Sequence, residues 1–196
     1  DKALVIGDQF GVMGLSGFML AGLSANVGVL AFFMFQMVFM DTAATIPTGS
    51  GAERLKFIGF IIMGFMVSMI IYPLAGNWVW GGGWLANLGR IAGLGNGAVD
   101  FAGSGVVHMT GGAIGLAVAL VLGPRIGRFN EDGSANAIPG HNIPMGILGT
   151  IILFFGWFGF NPGSSLGIQG AFINLVALAV VNTLLAGAAG GLSAMT

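Results

Sequence analysis

The stretch that decides the fold runs from residue 100 to residue 123 and begins Asp100-Phe101-Ala102-Gly103-Ser104-Gly105-Val106-Val107-His108. From Val106 to Gly123 it holds no formally charged residue, and as a helix it would cross most of a bilayer. At about 1.5 Å per residue, His108 would lie about 12 Å along the helix axis from Asp100. Because an ionisable group at that depth is costly, it usually faces a cavity, a partner or a path for polar solutes.

The composition is typical of a membrane-integral protein. Of 196 residues, 56% are hydrophobic and 7% charged, whereas a soluble domain has about 25% charged residues. The net charge of −1 offers no electrostatic footprint for nucleic acid, and the absence of cysteine excludes disulfides and thiolate metal sites. The 37 glycines favour close helix packing, as in Gly111-x-x-x-Gly115 and Gly187-x-x-x-Gly191.

Apolar runs predict five membrane helices, each near the roughly 20 residues that a bilayer requires. The predicted spans are 26–46, 57–74, 101–123, 143–160 and 168–195. Prolines at Tyr72-Pro73 and Asn161-Pro162 mark the ends of the second and fourth spans. Residues 1–25 show no alternating strand pattern and no signal-peptide features, so a loop and a short helical piece on the membrane face are expected there.

The basic residues predict the orientation of the spans. On one side lie Arg54, Lys56, Arg125 and Arg128, and on the other lie Lys2 and Arg90. Because cytoplasmic loops carry an excess of Lys and Arg, loops 47–56 and 124–142 are expected to be cytoplasmic. The tryptophan-rich segment 77–99 and the turn at 161–165 would then face outward together.

Two carboxylates in or beside the spans each have two interpretations. Asp41 is either a pore group or, as the sequence favours, a side chain satisfied locally near Thr42 and Thr45. Asp100 is favoured as a helix cap that accepts the backbone N–H of Ala102 or Gly103. A supporting electrostatic role, attracting cations to a nearby path, is compatible with that cap.

The two histidines differ in context. His108 lies inside an apolar span, where water does not satisfy it by default, and an ordinary histidine pKa of about 6.5 suits proton exchange with a solute. His141 lies in a loop beside Pro139 and Gly140 and is expected at the surface. Without acidic or thiol companions at ligand spacing the sequence predicts no metal site, and without a nucleophile–base pair it predicts no enzyme.

Aromatic side chains on three segments suggest a cation site. Phe39, Trp80 and Phe160 are individually most simply explained as packing residues. Together, rings that face outward could bind a small cation at about 0.5–2 kcal/mol each. Ser164, just beyond Phe160, could add a hydroxyl acceptor.

Four linked motifs give the sequence a family resemblance. They are the string from Asp100 to His108, Thr42-Ala43-Ala44-Thr45-Ile46 with Ala52-Glu53-Arg54, Trp80-Gly81-Gly82-Gly83, and Phe155-Gly156-Trp157-Phe158-Gly159-Phe160-Asn161-Pro162-Gly163-Ser164. In this order and spacing the sequence resembles the ammonium transporter family, the methylammonium permeases related to Rhesus proteins, over most of residues 26–195. The Met40-Asp41 pair departs from the small residues of many members, and the role of Asp41 stays open.

The resemblance implies roles for six residues. Phe39 and Phe160 resemble the stacked phenylalanines that close the pore mouth. Trp80 and Ser164, with Phe39, resemble the outer ammonium site, Asp100 resembles the carboxylate beneath it, and His108 resembles the first of two pore histidines. The resemblance implies no cofactor.

The resemblance also implies an architecture. The family fold is an all-α membrane bundle of eleven helices, ten of them in two inverted repeats, assembled as a homotrimer. The five spans resemble its third to seventh helices, so residues 1–196 would be a partial ammonium transporter domain, without the second pore histidine.

Two functions remain open at this point. The leading expectation is a channel or transporter that captures NH4+ at the outer site and passes it with deprotonation through a hydrophobic pore. The alternative is an ammonium-sensing receptor domain fused to a signalling module. Either would lie in the lipid bilayer of a bacterial inner or plasma membrane, and a cytoplasmic nitrogen-signalling regulator is an implied partner.

Overall fold

The computed structural model describes residues 3–6, 10–23 and 26–196, and that part of the chain contains five long apolar helices. They are α1 (Val27–Thr45), α2 (Phe57–Val79), α3 (Ser104–Leu122), α4 (Ile143–Gly163) and α5 (Phe172–Ser193). Each is long and apolar enough to cross a membrane. The predicted helical membrane fold is therefore confirmed. The chain forms two compact units, Asp1–Asn136 and Ala137–Thr196, which are described in turn.

Two helices run past the prolines at which the sequence predicts their ends. α2 passes Pro73 and continues to Val79, and α4 passes Pro162 and ends at Gly163. In α2, Pro73 follows a π-helical turn, Val67–Ile71, which already departs from the regular bonding that proline interrupts. In α4, Pro162 lies in the last turn, so few bonds remain to be broken.

The first residues form a β-hairpin, which makes the prediction of a loop at 1–25 wrong for this part. Strand β1 (Ala3–Ile6) pairs antiparallel with β2 (Phe10–Gly14). The predicted short helical piece is a 3₁₀ turn, Phe18–Leu20, while Lys2, Asp8 and Gln9 lie outside the described residues. The hairpin escapes sequence reasoning because nearly every position is apolar or glycine and no alternation marks the strands.

A contact with α2 holds the hairpin. The indole N–H of Trp78 donates to the Val12 carbonyl at 3.0 Å, and the backbone N–H of Trp84 donates to the Gly11 carbonyl at 3.0 Å. The rings of Trp78 and Trp84 lie 5.8 Å apart. β2 therefore packs against the tryptophan-rich segment at the end of α2.

Helices α1, α2 and α3 supply the core of the first unit. Its most buried side chains are Phe39, Ala43, Val67, Tyr72, Val106 and Val107. The predicted glycine motif on α3 lies against the end of α1 and the short helix Thr48–Gly51 that follows it: a Cβ on Gly111 would stand 2.8 Å from the Ile46 Cβ, and one on Gly115 would stand 3.1 Å from the Ser50 hydroxyl. Glycine is needed there because the two backbones approach closely.

Charged residues join the segments that follow α1 and α3. The Arg54 guanidinium donates to the carbonyls of Ser50 and Gly123. Arg125 donates to both carboxylate oxygens of Glu53, at 2.9 and 2.6 Å. The hydrogen bond and the charge of Arg125 hold the pKa of Glu53 below its ordinary value. The two loops that the basic residues predict on one side thus lie together.

The second unit contains α4 and α5. The Asn142 side chain caps α4 by accepting the backbone N–H of Met145 at 3.0 Å. Between the helices, the Asn161 amide donates to the Thr183 hydroxyl at 3.0 Å. Of the second predicted glycine motif, a Cβ on Gly187 would meet the Phe154 ring at 2.7 Å, whereas Gly191 has nothing within 4 Å.

Candidate functional site

Asp100 caps α3 with its whole carboxylate. One oxygen accepts the backbone N–H groups of Gly103 and Ser104 at 2.7 and 3.0 Å, and the other accepts those of Gly105 and Val106 at 2.8 and 2.7 Å. Gly103 is a bonding partner as the sequence predicts, and Ala102 is not. Four of the orphan donors at the helix start are satisfied by one side chain, and the negative charge complements the helix dipole.

Trp80 is tied to the same residue. Its indole N–H donates to the backbone carbonyl of Asp100 at 2.7 Å. The ring also lies beside Gly103, where an added Cβ would stand 3.5 Å from the Cη2 of Trp80. Since the polar edge of the indole is used in this bond, the half-buried ring keeps its faces for other contacts.

Phe39 packs against Trp80 from α1. The side chain of Phe39 is 2% exposed, and its ring centroid lies 5.9 Å from that of Trp80 with the planes tilted by 41°. The ring centroid of Phe35 lies 4.4 Å from that of Phe39. These separations are in the range of favourable aromatic pairs, so three rings from α1 and the end of α2 form one cluster.

His108 lies in a π-helical turn, Ser104–Met109, at the start of α3. Its backbone N–H donates to the Gly103 carbonyl at 2.8 Å. The preceding residues, Val106 and Val107, are 2% and 0% exposed, while His108 is half-buried. π-turns of this kind often occur at functional sites because they re-aim the side chains they carry.

Phe160 and Ser164 belong to the second unit. The Ser164 hydroxyl donates to the Phe160 carbonyl at 2.8 Å, and both residues are half-buried near the end of α4. Because the hydroxyl hydrogen is used in this bond, the oxygen keeps its lone pairs as acceptors. The first unit therefore brings together Phe39, Trp80, Asp100 and His108, and the second brings together Phe160 and Ser164.

Asp41 does not follow the favoured interpretation. The Thr42 hydroxyl donates to the Val38 carbonyl at 2.9 Å, so it does not satisfy the carboxylate, and Asp41 is exposed on α1. His141 is exposed, as the sequence predicts.

Sequence reasoning missed one polar pair beside the aromatic cluster. The hydroxyl of Tyr72, on α2, donates to the side-chain oxygen of Gln36, on α1, at 2.9 Å. Both residues are isolated polar positions in apolar spans, and Tyr72 is the only tyrosine of the chain. That isolation was the available signal, because a polar side chain inside a membrane span needs a partner.

Comparison with known proteins gives one consistent family. The sequence model described as the Ammonium Transporter Family matches residues 3–196. Ammonium transporter Amt2 of Archaeoglobus fulgidus is 48% identical in an alignment that covers 98% of this chain and 41% of that protein. Ammonium transporter 1 member 3 of Solanum lycopersicum is 38% identical in an alignment that covers 97% of this chain and 43% of that protein.

A solved structure is similar over the same range. A Sensor Amt Protein superposes with a TM-score of 0.80 at 43% identity, covering 94% of this chain and 45% of that one. This chain thus spans less than half the length of these relatives. Because the family model matches nearly every residue and the relatives agree with it, the chain belongs to the ammonium transporter family.

Proposed function

We propose that this chain forms part of an ammonium-conducting path that captures NH4+ at Trp80, Phe39 and Ser164 and passes it, with deprotonation, along His108. The observation that carries the proposal is the aromatic cluster. The Trp80 ring is held by the Asp100 carbonyl at 2.7 Å and by Phe39 at 5.9 Å. A rigid ring with its N–H already satisfied is suited to hold a cation over its face.

Ser164 supports the capture step from the second unit. Its hydroxyl donates to the Phe160 carbonyl, which leaves oxygen lone pairs to accept an N–H of ammonium. Ammonium donates four such bonds and potassium donates none. A ring face alone would admit either ion, so hydrogen-bond acceptors are what distinguish them.

The π-turn of α3 supports the deprotonation step. Val106 and Val107 are almost completely buried beside His108, whose imidazole is the one ionisable side chain of the turn. A hydrated metal ion gains nothing there that replaces its water shell. Ammonium can instead lose a proton and continue as neutral ammonia, with His108 relaying the proton or binding the ammonia. Phe39, in the first unit, and Phe160, in the second, are the candidate gate residues of this function.

The test is uptake of methylammonium and ammonium-evoked current by the full-length protein in proteoliposomes. Trp80→Leu should raise the KM about twofold to thirtyfold, the factor that corresponds to about 0.5–2 kcal/mol of cation–π attraction. The matched control is Trp84→Leu, which removes an indole that packs against Trp78. Equal effects of the two variants on the KM would contradict the proposed capture site.

A second function is favoured by one observation, the structural similarity to a protein named as a sensor. In that alternative the same residues capture ammonium and report it to a signalling module. The two functions differ in flux. The sensor would be favoured if ammonium raises the thermal unfolding midpoint, which shows binding, while neither uptake nor current is detected.

The assembly and location are also proposals. The family membership supports a multi-pass membrane protein, and we place it in the cell membrane as a homotrimer with a cytoplasmic nitrogen-signalling regulator as partner. Crosslinking of the full-length protein in membranes would test the trimer. Co-purification with and without ammonium would test the regulator.

A further inference from the structure

We propose that the hydrogen bond between Tyr72 and Gln36 is a positioning contact that holds Phe39 against Trp80 and thereby sets the affinity for the cation. The inference rests on the proposed capture site and adds two residues to it. Neither residue touches the cation in this proposal. They act through the ring of Phe39.

The bond joins two helices in an apolar environment. The Tyr72 hydroxyl donates to the Gln36 side-chain oxygen at 2.9 Å, and the Tyr72 side chain is 6% exposed. Inside a membrane no water competes for either group, so breaking the bond leaves an unsatisfied polar atom. The hydrogen bond is directional, so it fixes one register of α1 against α2, which non-directional apolar packing would not do.

On α1, the side of the helix that carries Gln36 also carries the aromatic rings. Gln36 precedes Phe39 by three residues, a spacing that puts both on one side of a helix. It also directly follows Phe35, whose ring packs on Phe39 at 4.4 Å. A slide or rotation of α1 at Gln36 would therefore move Phe39 directly.

On α2 a π-turn aims Tyr72 at its partner. The turn spans Val67–Ile71, and Tyr72 is the next residue. One additional residue in a turn rotates the residues that follow by about 100° around the axis of a helix with 3.6 residues per turn. Tyr72 thereby reaches the interior, where the π-turn also packs against α1.

Trp80 has its own anchor, which makes the effect on Phe39 separable. The indole is tied to Asp100 by its N–H at 2.7 Å, independently of Tyr72. Loss of the Tyr72 hydroxyl should leave Trp80 in place and loosen only the α1 side of the pair, which lies 5.9 Å away. The expected result is a lower affinity for the cation with an unchanged maximal rate of transport.

The test is transport by the full-length protein in proteoliposomes carrying Tyr72→Phe, which removes one oxygen and keeps the ring. The KM for methylammonium should rise about threefold to tenfold, in line with the loss of one buried hydrogen bond, while the maximal rate changes less than about twofold. Gln36→Leu should have the same effect. The double variant should be no worse than either single variant, because it leaves no unpaired polar atom.

Thr150→Ala is the matched control. It removes a hydroxyl from α4, where the bond at 3.0 Å goes to the Gly146 carbonyl of the same helix. It should leave KM and maximal rate at wild-type values. An unchanged KM in Tyr72→Phe, or additive effects in the double variant, would overturn the inference.

Failure of the proposed function has a different signature. If the wild-type protein neither binds nor transports ammonium or methylammonium, the capture site itself is wrong. If the wild-type protein transports and Trp80→Leu raises the KM but Tyr72→Phe does not, only the positioning role is wrong. A fall in maximal rate with unchanged KM would assign the pair to general packing.

Discussion

The indole N–H of Trp80 donates a 2.7 Å hydrogen bond to the backbone carbonyl of Asp100, whose own carboxylate accepts the first four backbone N–H groups of the turn that carries His108. Asp100 therefore links Trp80 to α3: its backbone carbonyl binds the indole, and its side-chain carboxylate binds the start of the helix. Its carboxylate is occupied by backbone donors, so in the proposed function its charge would act through the helix start and not as a free ligand.

We expect Asp100→Ala to destabilise the protein by about 2 kcal/mol or more, since losing a single cap costs about 0.5–2 kcal/mol and here four donors lose their acceptor. Asp100→Asn keeps one acceptor oxygen and should fall between Asp100→Ala and the wild type. The measurement is the thermal unfolding midpoint of the full-length protein in detergent, alongside transport. Wild-type stability with transport abolished in Asp100→Ala would instead assign the residue a purely electrostatic role.

Gly103 occupies a position where a side chain is expected to fail for two reasons. Its φ of +99° is one that L residues rarely adopt, and a Cβ would stand 2.6 Å from the Cγ2 of Val107. Gly103→Ala should therefore destabilise the protein by about 1–3 kcal/mol. The thermal midpoint of the full-length protein checks this value.

Gly112→Ala is the control for Gly103→Ala. Gly112 lies within α3, and nothing stands within 4 Å of an added Cβ. There the substitution should be neutral, or stabilising by up to about 1 kcal/mol, because alanine favours a helix over glycine. Equal losses at both positions would contradict the strain argument.

The Glu53–Arg125 ion pair should make stability depend weakly on pH. Because the hydrogen bond and charge of Arg125 lower the pKa of Glu53 below 4.5, the stabilisation is present above that value and is lost as the pH falls through the lowered folded pKa. At pH 7 the thermal unfolding midpoint of Glu53→Gln should therefore lie slightly below that of the wild type. The two midpoints should converge in acid, where both side chains are neutral.

Salt provides the second readout for this pair. Both side chains are exposed, so added salt should shrink the difference between Glu53→Gln and the wild type at pH 7. Glu131→Gln, which alters an exposed carboxylate in the loop after α3, should match the wild type throughout. A difference that persisted in acid or in high salt would show that packing, and not charge, is responsible.

The candidate site was predictable where local chemistry is sufficient. An acidic residue before a glycine-rich helix start predicts a cap, and Asp100 caps α3, although through Gly103 and the three following residues and not through Ala102. Asp41 was not predictable in the same way. Its neighbour Thr42 had a competing acceptor one turn back in Val38, and a side chain inside a helix often bonds there instead.

By itself the sequence determined the number and kind of the long helices, because a bilayer demands runs of about 20 apolar residues and only helices satisfy their own backbone there. It also determined the family, through motifs that carry Trp80 and His108. Tertiary structure decided the β-hairpin, the extension of α2 beyond Pro73, and the contact of Gln36 with Tyr72. The hairpin bonds to Trp78 and Gln36 bonds to Tyr72, so both depend on which atoms of distant segments meet. A period or a composition within one segment carries no information about such a register.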